Sequence, residues 1–151
     1  MSKSLIRHAA GTDFPTLLSI DKASFEPGIA YDSRELAYYM NRDGAATLVA
    51  EIDGRIAGFI LLEIHRRKRT ATVVTLDVLA ENRRRGIGSQ LLNASEEMLR
   101  NNEVRRCELQ VDVNNRDAVG FYVKSGFEVV HLLPHYYSNG NDAYLMAKKI
   151  L

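Results

Sequence analysis

VTLDVLAENRRRGIGSQLL, residues 74–92, decides how the rest of the chain is read. Its first half is β-branched and apolar, and its second half repeats Ile87, Leu91 and Leu92 at helical spacing. Between them stands Arg83-Arg84-Arg85-Gly86-Ile87-Gly88. A glycine turn running from a strand into a helix exposes backbone N–H groups without acceptors, and the helix dipole adds partial positive charge there. Glycine lets a pyrophosphate approach that backbone with no Cβ in the way, so the turn can bind an anion. It is not a Walker loop, because no Gly-Lys-Ser/Thr follows. It is not a dinucleotide fingerprint either, because the third glycine is missing and two strands precede it. On the residues alone, an anion cradle and an ordinary helix start among solvated arginines stand level.

Outward from that turn the pattern stays regular. Upstream, ATLVAEI (46–52), Asp53-Gly54 and RIAGFILLEI (55–64) predict a hairpin on a tight turn. HRRKR (65–69) is a charged connection into a third strand over 72–79, read as solvated, with an acidic protein or RNA surface as the sharper alternative. Earlier still, Thr12 is expected to cap a helix carrying Phe14, Leu17, Leu18 and Phe25, with Pro15 accommodated in its first turn and Pro27-Gly28 ending it. Ser33 is expected to cap a shorter helix with Leu36, Tyr39 and Met40, ended near Gly44. Downstream, Cys107, Leu109, Val111 and Val113 alternate with Glu108, Gln110 and Asp112, as in a half-buried strand. NNRDAVGFYVKSGF (114–127) predicts a helix stopped by Gly126. FEVVHLL (127–133) and AYLMAKKI (143–150) predict two closing strands. A strand, then ααββ, then βαβαββ makes a mixed α/β single-sheet domain over residues 1–151.

Composition narrows the classes. At 151 residues and 46% hydrophobic, the chain is long enough for a full core without metal or disulfide staples. Twenty Lys+Arg against nineteen Asp+Glu leave +1, so no global field drives binding to nucleic acid or membrane. One cysteine, Cys107, has no disulfide partner within the chain and reads as a small core residue rather than a nucleophile. His8, His65, His131 and His135 lack metal-ligand spacing, so no metal is expected. AGFILL (57–62) is interrupted by Glu63, far short of the ~20 residues of a membrane span. The opening MSKSLIRHAA lacks a secretion signal's apolar stretch, and the expectation is a soluble cytoplasmic protein.

Residues 74–92 resemble motif A of the GNAT acyl-CoA N-acyltransferases, Arg/Gln-x-x-Gly-x-Gly/Ala between a strand and a helix. The likeness runs nearly the whole chain in order. LIRHAAGTDFPTLLSIDKASF is similar to the first strand and helix of the RimI-type N-terminal acetyltransferases, and Gly58-Phe59 matches as well. VNNRDAVGFYVKSGFEVV resembles the family's Asn-x-x-Ala-x-x-x-Tyr-x-x-x-Gly-Phe motif, with Asn115, Ala118, Tyr122, Gly126 and Phe127 in register. HYY (135–137) resembles the tyrosine-bearing loop before the last strand. The resemblance implies the GNAT fold: one mixed, mostly antiparallel sheet of about seven strands with about four helices. The third predicted strand would splay from the strand at 105–113, with pantetheine entering the gap and the amine arriving opposite.

It also implies roles. Acetyl-CoA would lie against Leu76, Val78, Arg83, Arg84, Arg85, Gly86, Ile87, Gly88, Ser89, Asn115 and Tyr122, with a backbone N–H near Val78 for the oxyanion. Tyr122 would protonate the leaving thiolate, against the plainer reading of a core tyrosine beside Phe121. Asn115 would contact pantetheine, cap its helix, or both. Where RimI-type bacterial enzymes carry a glutamate base, this chain has Gln110, which takes up no proton but can hold a water that relays one. Glu26, Asp77 and Asp112 are the substitute carboxylates, and Tyr136 and Tyr137 would wall the substrate, alongside Glu26 and Asp77.

The missing glutamate carries a magnitude. Deprotonating an α-amine of pKa near 7.7–8.0 at pH 7.5 costs about 0.3–0.7 kcal/mol, and a lysine near 10.4 roughly 4 kcal/mol. A site without a strong base suits an α-amine. The expected substrate is therefore a protein or peptide N-terminus, a ribosomal protein among the candidates. The alternatives are a small amine (amino acid, polyamine or antibiotic) and, from another class, a catalytically weak acyl-CoA-binding sensor. Oligomeric state is left open.

Overall fold

The hairpin expected at Asp53-Gly54 is the middle of the sheet. In the computed structural model, which describes residues 4–151, β2 (Ala45–Ile52) and β3 (Arg55–His65) pair antiparallel up to Ile52 opposite Arg55. Asp53 and Gly54 both take positive φ (52° and 77°), the conformation a two-residue turn between twisted strands demands. Around this hairpin stand β1 (Leu5–His8), β4 (Thr70–Val78), β5 (Arg106–Asp112), β6 (Glu128–Leu133) and β7 (Ala143–Lys149). Their order is β1-β2-β3-β4-β5-β7-β6, and only the β4–β5 neighbours run parallel. The helices are α1 (Phe14–Ser24), α2 (Ser33–Met40), α3 (Ile87–Asn101) and α4 (Arg116–Lys124). The expected fold and element order are both present. Residues 1–3 of the expected domain lie outside the described residues.

The N-caps predicted for the first two helices are each displaced by one residue. Asp32, not Ser33, caps α2: its carboxylate accepts from the Glu35 N–H at 2.8 Å, and Glu35 accepts from the Asp32 N–H at 3.2 Å. That reciprocal pair satisfies two orphan donors, which a lone serine one position later does not. Thr12 sits inside a 3-10 turn (Gly11–Asp13) rather than capping α1. There Asp13 takes the Ala10 N–H at 2.7 Å and the Arg7 guanidinium at 2.8 Å, which holds its carboxyl below the ordinary range. The second helix also ends before Gly44, at Met40.

The core lies on both faces of the sheet. Ile60, Leu62, Val73, Leu109 and Met146 pack under Ile87, Leu91 and Leu92 of α3. Val49, Phe59 and Leu61 pack under Leu17 and Ile20 of α1 and Leu36 of α2. Cys107 is buried on the α3 side, and burial pushes its thiol up to about 12, consistent with a core residue.

One irregularity positions everything that follows. Between Leu61 opposite Thr75 and Leu62 opposite Val73, Val74 is an extra residue, a bulge in β4. β4 and β5 pair only from Thr70–Arg106 to Val73–Leu109, and from the bulge onward they part. Gly58 keeps β3 against the bent end of β4, since a Cβ there would stand 2.6 Å from the Asp77 carbonyl oxygen. No described helix is long and apolar enough to cross a membrane.

Candidate active site

The gap between β4 and β5 opens beneath the glycine turn. After β4 the chain makes a 3-10 turn (Ala80–Asn82), and Arg83 Nε turns back to donate to the Val78 carbonyl at 3.2 Å. Arg84 and Gly86 take φ of 64° and 78°, and Gly86 is the N-cap of α3 with no side chain capping it. The first helical bond runs from the Gln90 N–H to the Gly86 carbonyl at 2.9 Å, so the N–H groups of Ile87, Gly88 and Ser89 have no intrahelical acceptor. Arg84 and Arg85 are exposed, and no carboxylate pairs with either among the described residues. Ile87 is 2% exposed with its side chain in the core, so only its backbone faces a ligand. Gly88 has another duty: a Cβ on it would meet Phe121 Cζ of α4 at 3.3 Å.

Across the gap, α4 presents Tyr122. Its ring packs edge-on against Phe121 and Phe127, with centroids 5.2 and 5.6 Å away. Its hydroxyl makes no hydrogen bond among the described residues. Burial first, then the nearby negative charge of Asp77, raises its pKa above the ordinary phenol range, so it keeps its proton at neutral pH. Asn115 caps α4 by accepting from the Ala118 N–H at 3.1 Å, which occupies its carbonyl oxygen and not its amide nitrogen. Leu76 and Val78 are half-buried against the α3–α4 core.

The opposite face, toward α1 and α2, is lined differently. Asp77 is 2% exposed, and its Oδ1 accepts from the Thr75 hydroxyl at 2.6 Å. Asp21 of α1, fully buried, reaches the same Thr75 hydroxyl at 3.4 Å and accepts from the Tyr31 N–H at 2.7 Å. Gln110, half-buried, alternates with the core residues Leu109 and Val111, which puts it on this face too. Tyr31 stacks with Tyr39 at 5.3 Å, and Tyr136 with Tyr137 at 5.0 Å. Burial pushes the Tyr31 phenol above its ordinary range, so it is neutral at neutral pH. The loops that carry Tyr31, Tyr136 and Tyr137 meet where the Ser138 hydroxyl donates to the Gly28 carbonyl at 3.0 Å.

Comparisons with known proteins agree with this arrangement. Residues 14–127 match the Acetyltransferase (GNAT) family. The chain belongs to the GNAT acetyltransferases. An N-alpha-acetyltransferase of Sulfurisphaera tokodaii is 36% identical over 94% of this chain and 90% of its own. The L-amino acid N-acetyltransferase AaaT of Escherichia coli is 31% identical over 98% of this chain and 99% of its own. The crystal structure of Ard1 from Thermoplasma volcanium superposes with a TM-score of 0.89 at 27% identity, covering 98% of both chains.

This GNAT acetyltransferase takes its acetyl group from acetyl-CoA and transfers it to an amine. The residues present fit that donor: a left-handed glycine opens unpaired N–H groups at α3, and past Val73 the side of β4 that faces β5 is left unpaired. Gly86 through Ser89, Leu76, Val78, Asn115 and Tyr122 lie on the α3–α4 side. Asp77, Gln110, Tyr136 and Tyr137 belong to the other. Two expectations change. Arg83 is committed to the β4 carbonyl, leaving Arg84 and Arg85 as the exposed cations not engaged there. Asp112 spends Oδ1 on the Asn114 N–H and Oδ2 on the Asn141 amide, both at 2.9 Å, which makes it a loop tie rather than a base. Glu26 is exposed in the α1–α2 loop, where its carbonyl, not its carboxylate, has defined partners. HRRKR makes the turn at the far end of β4 from the gap. The residues missed were Asp21, Tyr31 and Tyr39. Asp21 had a signal: it lies four positions after Leu17 on the apolar stripe of α1, where a lone carboxylate calls for a partner.

Proposed function

We propose that the chain is one transferase domain over residues 1–151, and that its acceptor is the α-amine of a protein or peptide N-terminus. The supporting observation is the acceptor side of the gap. Two loops in contact carry Tyr31, Tyr136 and Tyr137 on the face of the sheet that Gln110 shares, and the carboxylates beside Gln110 on β5 are engaged, Glu108 with Arg106 and Asp112 with Asn114 and Asn141. Such a face suits an extended chain end, and the absent glutamate suits an amine that is already half deprotonated near neutral pH. A ribosomal protein N-terminus and a cytoplasmic setting are the narrower forms of this reading.

Acetyl-CoA supplies a thioester-activated acetyl group. The N–H groups of Ile87, Gly88 and Ser89, with Arg84 and Arg85, would hold its phosphates, and Leu76, Val78 and the Asn115 amide nitrogen its pantetheine arm. A main-chain N–H near Val78, left without a β5 partner by the bulge, would face the developing oxyanion. Tyr122 would donate its hydroxyl proton toward the leaving sulfur.

Steady-state thioester consumption across peptides, free amino acids and polyamines tests the reading. Peptides with a free N-terminus should give the highest kcat/KM. Preference for a free amino acid would favour the small-amine reading, which the likeness to AaaT keeps in view. Binding without turnover on any amine would favour an acyl-CoA sensor.

A further inference from the structure

Asp21 and Asp77 are two acids with almost no access to solvent, 0% and 2% exposed, gathered at one hydroxyl. Asp21 uses Oδ2 on the Tyr31 N–H at 2.7 Å, and the Thr75 hydroxyl that donates to Asp77 at 2.6 Å lies 3.4 Å from Asp21 Oδ1. The two carboxyls therefore converge on one hydroxyl. Asp77 Oδ2 is buried and finds no donor among the described residues. Two adjoining carboxylates at this depth cannot both stay ionised at neutral pH. A single proton held between them relieves the repulsion and provides the missing donor.

We propose that Asp21 and Asp77 are a proton-sharing pair that accepts the proton of the incoming acceptor ammonium, through a water held at Gln110. The inference rests on the α-amine reading above and assigns the proton acceptor that Gln110 cannot be. The groups facing Asp77 are Asp21 from α1, which carries the Tyr31 contact, Thr75 from its own strand, Arg83 after β4 and Tyr122 from α4. Phe59 of β3 stands opposite and brings no charge. Burial and then Asp21 raise the Asp77 carboxyl well above the carboxylate range, against the smaller opposing pull of Thr75 and Arg83.

The proton count closes. As pH rises the pair loses its shared proton to solvent and carries two negative charges. An N–H bond of the ammonium then breaks and an O–H bond forms on the pair, with one water passing the proton. The charges go from +1 and −2 to 0 and −1, a reduction that a low-dielectric site favours. The neutral amine is left to attack, and the pair returns the proton to solvent before the next cycle. The same step acts on Tyr122, whose pKa the negative charge of Asp77 raises. Partial neutralisation of the pair makes that phenol a better donor as the thiolate leaves.

The test is kcat/KM against pH for the native protein, Asp77→Asn and Asp21→Asn. One substrate is an N-terminal peptide and the other an acyl hydrazide, whose terminal nitrogen is unprotonated at neutral pH. The native enzyme should show, besides the peptide amine's own titration, an enzyme ionisation above the carboxylate range. Asp77→Asn should abolish it and lower peptide turnover at pH 7 by on the order of 10²-fold, leaving the hydrazide within about threefold. Asp21→Asn should keep the ionisation but move it roughly one pH unit or more lower, because its amide removes a charge and donates to Asp77. A purely structural role would neither move the ionisation nor separate the two nucleophiles. Carbon-13 NMR of the aspartate carboxyls reads the pair without turnover: one carboxyl should stay protonated well above the ordinary carboxylate range in the native protein and none in Asp77→Asn. An ionisation unchanged in both folded variants, or no protonated carboxyl near neutral pH, would overturn the pair. Acetylation of the hydrazide and of no peptide would overturn the acceptor reading instead, and the same shifts would then be expected with the small amine used.

Discussion

Tyr122 shows how one side chain answers both a packing and a chemical demand. Its ring is held between Phe121 and Phe127, so substitution by phenylalanine preserves the packing and removes only the proton. Tyr122→Phe should lower kcat ~10²-fold, the lower end for acid catalysis, with acetyl-CoA affinity nearly unchanged. Single-turnover kinetics with calorimetry of acetyl-CoA binding checks this. Full turnover with chemistry rate-limiting would mean that water protonates the thiolate. The place of Tyr122 on α4 was legible in sequence because a helical motif spaced it from Asn115 and Gly126. Asp21 was not legible as a neighbour of Asp77, because α1 and β4 come together at Thr75 only in the fold.

At the scale of elements, the turn into α3 divides its two glycines by duty. Gly86 needs its left-handed φ of 78°, and its Cβ position is open space. Gly88 has helical φ and is small because Phe121 of α4 stands against it. Gly86→Ala should reshape the anion-binding backbone at a cost of about 1–2 kcal/mol and weaken acetyl-CoA binding several-fold. Gly88→Val should displace Phe121 and lower both the melting temperature and turnover, since Tyr122 is the next residue. Calorimetry beside thermal melts distinguishes the two, and unchanged affinity in folded Gly86→Ala would contradict an anion-binding turn. Periodicity made the strands and helices legible, and Asp53-Gly54 made the hairpin legible. The bulge at Val74 left no mark in the sequence, because an extra residue in a strand of alternating burial looks like any other. The cap of α2 was legible and misassigned: Asp32 precedes Glu35 by the three residues of a capping box, and Ser33 does not.

For the whole molecule, the gap that the bulge opens divides the labour between two faces of one sheet. The α3–α4 side supplies unpaired N–H groups, exposed arginines and a neutral phenol. The α1–α2 side carries tyrosines and two buried acids, and the loops at Gly28 and Ser138 are joined by a hydrogen bond there. The central claim is that an N-terminal α-amine enters from that second side. The most direct measurement uses acetyl-CoA and a peptide carrying a free α-amine and one internal lysine, with tandem mass spectrometry locating the acetyl group. The account predicts a single acetyl on the α-nitrogen. Acetyl on the lysine ε-nitrogen, or none on the peptide while a free amino acid is acetylated, would contradict it.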